Sequence, residues 1–138
     1  DVQLLVMPTG SCNSLCSVLL GLSRDPKNVH TVFAMEIGPN KREWTRERMR
    51  VMGVDIDKLP FRLKYYSLHE TGYAKYTDHF KESLEGVEMH PVYEAKMARW
   101  LRENYPLPHD NKALFWVVGG KPDVKVMEPF FTNRVEMV

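Results

Sequence analysis

The amino-terminal stretch constrains the fold of this chain more than any other part of the sequence. Residues 2–7 (VQLLVM) are nearly all apolar and are followed at once by the turn residues 8–10 (PTG). Short runs of this kind are typical of strands that are buried on both faces of a sheet. Ser11 or Asn13 is then placed to cap a helix. The apolar residues of that helix recur at helical spacing and are Leu15, Val18, Leu19 and Leu22.

The same alternation of strand and helix continues along the chain. Three further apolar runs predict strands, over residues 29–37, 61–68 and 113–118. Helical patterns lie between them, over residues 41–52 and 77–84 and in a segment that begins near Pro91. Apolar strands that alternate with helices indicate a parallel sheet. The sequence therefore predicts an α/β fold, a three-layer Rossmann-like parallel sheet with helices on both faces.

The length of 138 residues fits one domain. We therefore expect residues 1–138 to form a single α/β domain. The first residue is Asp1 rather than Met, and we interpret the chain as the downstream part of a larger protein. Its expected partners are then a missing upstream domain or a second copy of the chain.

Composition argues against several classes of function. Lys and Arg number 19 and Asp and Glu number 18, and the net charge of +1 gives no case for binding nucleic acid or a membrane surface. No apolar run approaches the roughly 20 residues that a membrane span requires. Cys12 and Cys16 lie close in sequence without a second ligand pair, so we expect no disulfide framework, no metal site and a reducing, cytoplasmic compartment.

The turn between the first strand and the first helix is the best candidate for a binding site. In a parallel sheet such a turn lies at the carboxyl end of a strand, where ligands bind. Free amides at the start of a helix also point at a bound anion. The candidate anion-binding residues are Thr9, Gly10, Ser11, Cys12, Asn13 and Ser14, and Gly119 and Gly120 form a second such end after the last strand.

The turn alone does not define a function. It lacks the Gly-Lys-Ser/Thr of a Walker A loop and the spacing Gly-x-Gly-x-x-Gly. An ordinary strand-to-helix turn with a capped helix is one alternative interpretation. Glu36, near the end of the second strand, keeps a Rossmann-like nucleotide- or phosphate-binding domain open as another.

Four segments, taken in order, resemble motifs of one enzyme family. The turn resembles the phosphate-cradling loop Thr-Gly-Ser-Gly-Gly-Thr of the tryptophan-synthase-β-like (fold type II) pyridoxal-phosphate enzymes. Three later segments resemble motifs of the branch that contains 1-aminocyclopropane-1-carboxylate deaminase and D-cysteine desulfhydrase. They are Gly72-Tyr73 for Gly-Tyr-Gly, residues 90–97 (HPVYEAKM) for Asp-Pro-Val-Tyr-Glu/Ser/Thr-Gly-Lys, and residues 114–120 (LFWVVGG) for Val-Leu-Phe-x-His-Thr-Gly-Gly. The matches correspond to the carboxyl-terminal part of the family's catalytic fold.

The resemblance implies roles for individual residues. Residues 10–14 would face the phosphate of pyridoxal phosphate, and the final glycine pair would also contact the cofactor. Tyr73 and Tyr93 would be catalytic residues near the ring and the substrate, an amino-acid-like small molecule. Glu94 would contact the pyridine nitrogen and favour the protonated ring, which is the better electron sink.

Several positions depart from the family pattern. Cys12 and Asn13 stand where the loop has two glycines, and Val118 stands where the last motif has Thr. The Schiff-base lysine of the family lies upstream of the matched segments. Lys96 belongs to a motif whose lysine does not have that role. We therefore expect the chain to be inactive alone.

Two functions follow from the resemblance. The first is part of a pyridoxal-phosphate-dependent amino-acid deaminase or lyase, which an upstream segment with the lysine would complete. The second is a non-catalytic binding or interaction module derived from the same fold.

Overall fold

The computed structural model describes residues 3–84, 86–104 and 113–116. The elements in chain order are β1 (Leu4–Thr9), α1 (Asn13–Arg24), β2 (Thr31–Glu36), α2 (Arg42–Val51), a 3-10 turn (Ile56–Lys58), β3 (Arg62–Ser67), β4 (Ser83–Leu84), β5 (Val87–Glu88), α3 (Glu94–Asn104) and β6 (Ala113–Phe115). None of the helices in these ranges has the length and apolar character needed to cross a membrane.

The main sheet has four strands in the order β3-β2-β1-β6, and every neighbouring pair is parallel. β1 is central, because its Leu4 pairs with Thr31 of β2 on one side and with Ala113 of β6 on the other. The predicted α/β fold with a parallel sheet is thereby confirmed.

Each face of the sheet carries its own apolar cluster. Residues of β1 alternate between the two, with Leu5 on one face and Val6 on the other. The first cluster includes Leu19 of α1 and Met49 of α2, and the second includes Met97 of α3. Helices therefore cover both faces, α1 and α2 on one side and α3 on the other, as the three-layer prediction requires.

Pro8 lies inside β1, although proline has no N–H for a sheet ladder. The Val6 carbonyl oxygen accepts a hydrogen bond from the Trp116 amide at 2.8 Å, so the backbone groups of Val6 point toward β6. Because the direction alternates along a strand, those of Pro8, two positions later, point to the same side. Among the described residues, β6 pairs with β1 only as far as Val6. Pro8 therefore removes no hydrogen bond from the described sheet, and β1 extends beyond the predicted end at Met7.

The prediction of a helix over residues 77–84 is wrong. Ser83–Leu84 forms β4 instead, which pairs antiparallel with β5. The carboxylate of Glu82 just before it accepts hydrogen bonds from Arg99 and Arg102 of α3. These tertiary contacts bind the segment to α3 and override its local helical pattern.

The helix boundaries otherwise lie close to the predicted ones. α2 ends before Gly53, whose φ of 83° is the left-handed conformation common after a helix. α3 begins at Glu94 rather than at Pro91, which lies in the preceding turn. Gly119 and Gly120, for which a cofactor contact is predicted, lie outside the described residues.

β1 lies at a topological switch point of the sheet. The chain passes from β1 to β2 to β3 in one direction and then returns to place β6 on the other side of β1. Ligands of open α/β sheets bind at the carboxyl ends of the strands at such a point. The turn after β1 therefore occupies the position where the fold favours a binding site.

Tyr65 of β3 carries a hydroxyl group that is buried between the sheet and its α1–α2 layer. The hydroxyl oxygen has no hydrogen-bond partner among the described residues. The guanidinium carbon of Arg42 lies 4.8 Å from the centre of the Tyr65 ring and covers it. Burial is the main reason that the pKa of Tyr65 is raised to about 12.

Tyr65→Phe is expected to leave the free energy of unfolding unchanged at pH 7, or to raise it by up to about 1 kcal/mol, because it removes a buried polar atom that lacks a partner. The pKa of Tyr65 in the folded protein lies above its ordinary value of 10.0. Ionisation of Tyr65 is therefore disfavoured in the folded protein, and the free energy of unfolding falls as the pH rises from about 10 toward about 12. Tyr65→Phe has no hydroxyl to ionise at this position, so its free energy of unfolding should not fall in this way.

Urea unfolding of the intact protein from pH 7 upward measures both effects. Tyr73→Phe is the control, because it removes a hydroxyl group that does have a partner, Glu103. A Tyr65→Phe variant that is clearly less stable than the wild type at pH 7 would show that the hydroxyl makes a stabilising contact.

Candidate active site

A cavity of about 520 Å³ lies at the carboxyl ends of β1 and β2. Three parts of the chain form its wall: the β1–α1 turn, the β2–α2 turn, and the segment that leads into α3. The residues that line it are 8–12, 14 and 15 from the first turn, Gly38, Pro39 and Lys41 from the second, and Tyr76, His90, Tyr93 and Glu94. The cavity thus joins the turn with the predicted phosphate-binding residues to both Tyr93 and Glu94.

Cys12 adopts a backbone conformation that residues other than glycine rarely take. Its φ of 67° and ψ of 10° lie in the left-handed region, and the loop that this turn resembles has glycine here. The side chain is only 5% exposed and belongs to the core cluster beneath α1. Its burial offsets the cost of about 1–2 kcal/mol that the left-handed conformation carries.

The N-cap of α1 is Cys12, whereas the sequence predicts Ser11 or Asn13. No side-chain hydrogen bond caps the helix at this residue in the described structure, and the Ser11 hydroxyl lies 3.5 Å from the Asn13 amide. The first turn of α1 contains no acidic residue. The amides at the start of α1 therefore meet the cavity with the positive end of the helix dipole and without an acidic side chain of their own helix.

The other predicted phosphate-binding residues in the turn differ in where their side chains lie. The Thr9 hydroxyl is buried and donates to the Met35 carbonyl oxygen at 3.4 Å, so it serves the sheet rather than the cavity. Ser14 lines the cavity, whereas Asn13 is exposed and lines a neighbouring cavity beside α1. The cavity therefore receives the backbone of this turn more than its side chains.

Two glycines at strand ends allow two tyrosine rings to approach the backbone closely. A Cβ atom on Gly10 would lie 3.1 Å from Cε1 of Tyr93, and one on Gly38 would lie 3.2 Å from Cδ2 of Tyr76. A larger residue at either position would require the ring to move. Gly10 and Gly38 thereby fix where both rings lie in the wall of the cavity.

The two tyrosines are joined by a hydrogen bond between hydroxyl oxygens that are 2.6 Å apart, and their rings meet edge to face at 6.1 Å. The bond to Tyr76 is the main reason that the pKa of Tyr93 is raised. One hydroxyl donates to the other, which leaves one O–H of the pair for a group in the cavity. No pattern in the sequence distinguishes Tyr76 from the other tyrosines.

The amino end of α3 presents Glu94, its first residue, to the cavity, and the side chain is only 2% exposed. His90 organises this end of the helix. Its Nδ1 accepts a hydrogen bond from the Val92 amide at 3.2 Å, and its carbonyl oxygen accepts one from the Ala95 amide at 3.0 Å. His90 stands where the motif it resembles has Asp, and the ring nitrogen takes the acceptor role that an Asp carboxylate has in such turns.

Tyr73, for which the resemblance implies a role near the cofactor ring, lies apart from the residues that line this cavity. Its hydroxyl donates to Glu103 of α3 at 2.9 Å, and its ring meets that of Phe80 edge to face at 6.0 Å. Burial and the bond to Glu103 raise the pKa of Tyr73 to about 12. The structure thus brings Tyr93 and Glu94 to the turn but not Tyr73, whose catalytic role stays a prediction.

Glu36, at the carboxyl end of β2, is engaged inside the protein. Its carboxylate accepts hydrogen bonds from Arg42 of α2, with 2.5 Å between Nη2 and Oε1, and its side chain is 3% exposed. Glu36 is therefore not presented to the cavity for the ribose contact on which the nucleotide-binding alternative depends. Within residues 3–84, 86–104 and 113–116, no three His, Cys, Asp or Glu side chains come together as metal ligands would.

A larger cavity, of about 830 Å³, lies between α1 and β6. Its walls are mainly apolar and include Val18 and Leu22 of α1 together with the half-exposed Leu114 and Trp116. Lys27 is the one ionisable side chain among its described lining residues. The smaller cavity at the strand ends, which collects polar and ionisable groups, is therefore the candidate active site.

The fold and the position of this cavity are those of a Rossmann-like α/β protein with a polar cleft at the end of its first strand. No family model matches the sequence. Among curated proteins, the chain is similar to an O-seryl-dTMP PLP-dependent decarboxylase of Salmonella phage ViI, with 26% identity over 174 residues that include 90% of this chain. The chain spans about 41% of the length of that relative. It is thus related to a pyridoxal-phosphate-dependent enzyme, and the similarity does not single out the deaminase and desulfhydrase branch.

Gly10→Ala is expected to lower the free energy of unfolding by about 1 kcal/mol, because the new methyl group forces the Tyr93 ring to move. Gly21→Ala is the matched control, since no described atom beyond its chain neighbours and the adjacent backbone of α1 lies within 4 Å of the position that its Cβ would take. Alanine is favoured over glycine in a helix by about 0.8–1 kcal/mol, so this variant should be more stable than the wild type. Urea unfolding of both intact variants measures the difference. Equal effects at the two positions would contradict a special requirement for glycine beside Tyr93.

Proposed function

We propose that the cavity at the ends of β1 and β2 is part of a pyridoxal-phosphate site in an enzyme that acts on an amino-acid-like small molecule. The cavity carries this proposal, because it arranges the amino end of α1, Tyr93 and Glu94 around one space of about 520 Å³. The similarity to a PLP-dependent decarboxylase supports it. The two ends of the cofactor, phosphate and ring, would each have a partner in this arrangement.

The β1–α1 turn fits a phosphate group. α1 directs the amides of its first turn at the cavity, and Ser11 and Ser14, which carry hydroxyl groups, are among the residues that line it. The Cys12 side chain, which would crowd an anion if it pointed outward, is packed in the core. Lys41 lines the cavity from the β2–α2 turn and adds a positive charge.

Glu94 fits the ring of the cofactor. Pyridoxal phosphate, when bound, supplies a protonated ring that draws electrons from the bonds of the substrate's α-carbon. Glu94 would hold the proton at the ring nitrogen. The carboxylate is nearly completely buried, and a charge-assisted hydrogen bond is strong in such surroundings.

The Tyr76–Tyr93 pair would orient the substrate. One O–H of the pair remains available, and it would donate to the carboxylate of an amino acid in the cavity. The raised pKa of Tyr93 keeps its hydroxyl protonated at neutral pH, so the pair would act there as a donor rather than as a base.

The reaction that we propose first is the loss of carbon dioxide from an α-amino acid group. The relative is named a decarboxylase of O-seryl-dTMP, a compound with a seryl group on a nucleotide. Elimination of the deaminase or desulfhydrase type is the second candidate, because the segment 91–94 (PVYE) resembles that branch and its Tyr93 and Glu94 line the cavity. Carbon dioxide and ammonia are different products, so assays of both with the intact protein distinguish the two reactions.

The lysine that holds the cofactor covalently would come from an upstream segment, where the resembled family has it. Lys41 is the one lysine among the described residues that line the cavity, and it lies exposed just before α2. Lys96 is buried and donates to two backbone carbonyl groups. We therefore expect the chain to be inactive without its missing partner.

A non-catalytic binding module is the alternative function, and the side chains at Cys12 and Asn13 favour it, since the loop they resemble has glycine at both positions. A module of this kind would have no need to bind the cofactor. Cofactor binding by the intact protein therefore separates the two functions.

Ser14→Asp is expected to weaken the binding of pyridoxal phosphate to the intact protein at least about tenfold, or about 1.4 kcal/mol, because a carboxylate in the first turn of α1 repels the phosphate. An acidic residue at the start of a helix is otherwise favourable, so the fold should not suffer. Ser14→Asn is the matched control, because asparagine has nearly the shape of aspartate without its charge. This variant should bind pyridoxal phosphate almost as tightly as the wild type does.

Titration with pyridoxal phosphate, followed by its absorbance, measures the affinity of each variant. Unchanged binding by Ser14→Asp would contradict a phosphate site at the start of α1. A wild-type protein that binds no cofactor would favour the non-catalytic module.

Glu94→Gln is expected to lower kcat by about a hundredfold or more while the affinity for pyridoxal phosphate changes little, because the amide cannot hold a proton at the ring nitrogen. Glu88→Gln makes the same change at an exposed position in β5 and should have no effect. Product formation and cofactor titration by the intact variants measure the two quantities separately. Full activity of Glu94→Gln would exclude this role for Glu94.

A further inference from the structure

Lys96 is an unusual residue to find in the interior of a protein. It lies in α3, close to Glu94, and its side chain is completely buried, with 0% exposed. Burying an ammonium group is costly unless the group is hydrogen-bonded, and burial lowers the pKa of Lys96. The hydrogen bonds of this buried amino group therefore indicate its role.

The amino group of Lys96 binds the backbone of a single turn. Its Nζ donates to the carbonyl oxygens of Lys75 at 2.7 Å and of Tyr76 at 3.0 Å. Asp78 closes the same turn, because its amide donates to the Lys75 carbonyl oxygen at 3.0 Å and its Oδ2 accepts from the Lys75 amide at 2.8 Å. The two carbonyl groups that Lys96 binds belong to the peptide units on either side of Tyr76, so their orientation sets that of Tyr76.

Tyr76, whose backbone Lys96 binds, is itself one of the residues that line the cavity. Its ring lies against Gly38, where a Cβ atom would be 3.2 Å away, and its hydroxyl oxygen lies 2.6 Å from that of Tyr93. Tyr93 directly precedes α3, the helix that carries Lys96. α3 and the residue just before it therefore hold Tyr76 at two points, at the backbone through Lys96 and at the hydroxyl through Tyr93.

We propose that Lys96 is a positioning residue that holds Tyr76 in contact with Tyr93 and so completes the cavity wall on the side of the β2–α2 turn. This role rests on the proposed function only for the identity of the ligand, an amino acid whose carboxylate the tyrosine pair receives. Lys96 acts through Tyr76 and is not among the residues that line the cavity.

The ionisation of Tyr93 reports the contact without any need for cofactor or substrate. It is followed by the pH dependence of the Tyr93 Cζ resonance in the NMR spectrum of the intact protein, which is the resonance that Tyr93→Phe removes. The bond to Tyr76 raises the pKa of Tyr93 in the wild type, so Tyr76→Phe should lower it. Lys96→Met keeps a long unbranched side chain without a donor, and it should produce at least about half of the downward shift that Tyr76→Phe produces.

The direction of the shift distinguishes positioning from a simple loss of charge. Removing a positive charge alone raises the pKa of a nearby tyrosine, so a fall in the Lys96→Met variant reports the lost hydrogen bond. Lys75→Met is the matched control, because it removes an exposed amino group of the same turn and leaves the carbonyl group that Lys96 binds. It should not lower the pKa of Tyr93. An unchanged or raised Tyr93 pKa in Lys96→Met overturns the role of Lys96, and so does an equal fall in Lys75→Met.

Lys96→Gln provides the same test if the methionine variant does not fold. Glutamine keeps an N–H donor group but is too short to reach both carbonyl groups, so the pKa of Tyr93 should fall by less, and no fall overturns the role. Titration of the wild type with pyridoxal phosphate tests the proposed function separately. A wild type that binds no cofactor, together with a lowered Tyr93 pKa in Lys96→Met, would remove the proposed ligand and retain the positioning role.

Discussion

The site depends on the close approach of the Tyr93 ring to Gly10. Gly10 follows the central strand, and Tyr93 directly precedes α3 on the opposite face of the sheet from α1. Because Gly10 has no side chain, the amino end of α3 can lie against the carboxyl end of β1. Glu94 is thereby brought to the amino end of α1, and two helices from opposite layers begin at one cavity. A larger residue at position 10 would separate the groups on which any chemistry there depends.

The β1–α1 turn keeps a glycine-like backbone without using glycine at its left-handed position. Cys12 takes that conformation, and its side chain is buried with Leu15 and Cys16 beneath α1. Packing of the thiol in the core stabilises the conformation and also keeps the sulfur out of the space in front of the amides. The hydroxyl of Tyr65 is buried on the same side of the sheet. The electrostatic interaction with Cys12 is one of the causes of the raised pKa of Tyr65. The Cys12 thiol is therefore accommodated in the core on this side of the sheet and not in the cavity.

Burial on both faces explains what the sequence could predict. Apolar runs such as that in β1 have one stable environment, the interior of a parallel sheet, so the order of the main-sheet strands and of α1, α2 and α3 follows from pattern. Tyr93 and Glu94 could be found because they are adjacent in one motif. The hairpin of β4 and β5 could not, since Glu82 is held by arginines of α3 that lie far along the chain. Tyr76 likewise gains its position from Gly38 and Lys96, and no local pattern records contacts between such distant residues.

Several hydrogen-bonding groups of the cavity wall belong to the backbone and keep their place where side chains depart from the resembled motifs. The amides of α1 face the cavity whichever side chain stands at position 12, provided that the residue accepts the left-handed conformation. The Val92 amide needs an acceptor two residues earlier, and the ring nitrogen of His90 supplies it in place of a carboxylate. Each change alters a side chain and leaves a hydrogen-bonding direction in place. In the proposed site, the demand for one particular side chain would then be concentrated at Glu94, whose acidic group no backbone atom can replace, and at Lys96, whose amino group donates to both carbonyl groups around Tyr76.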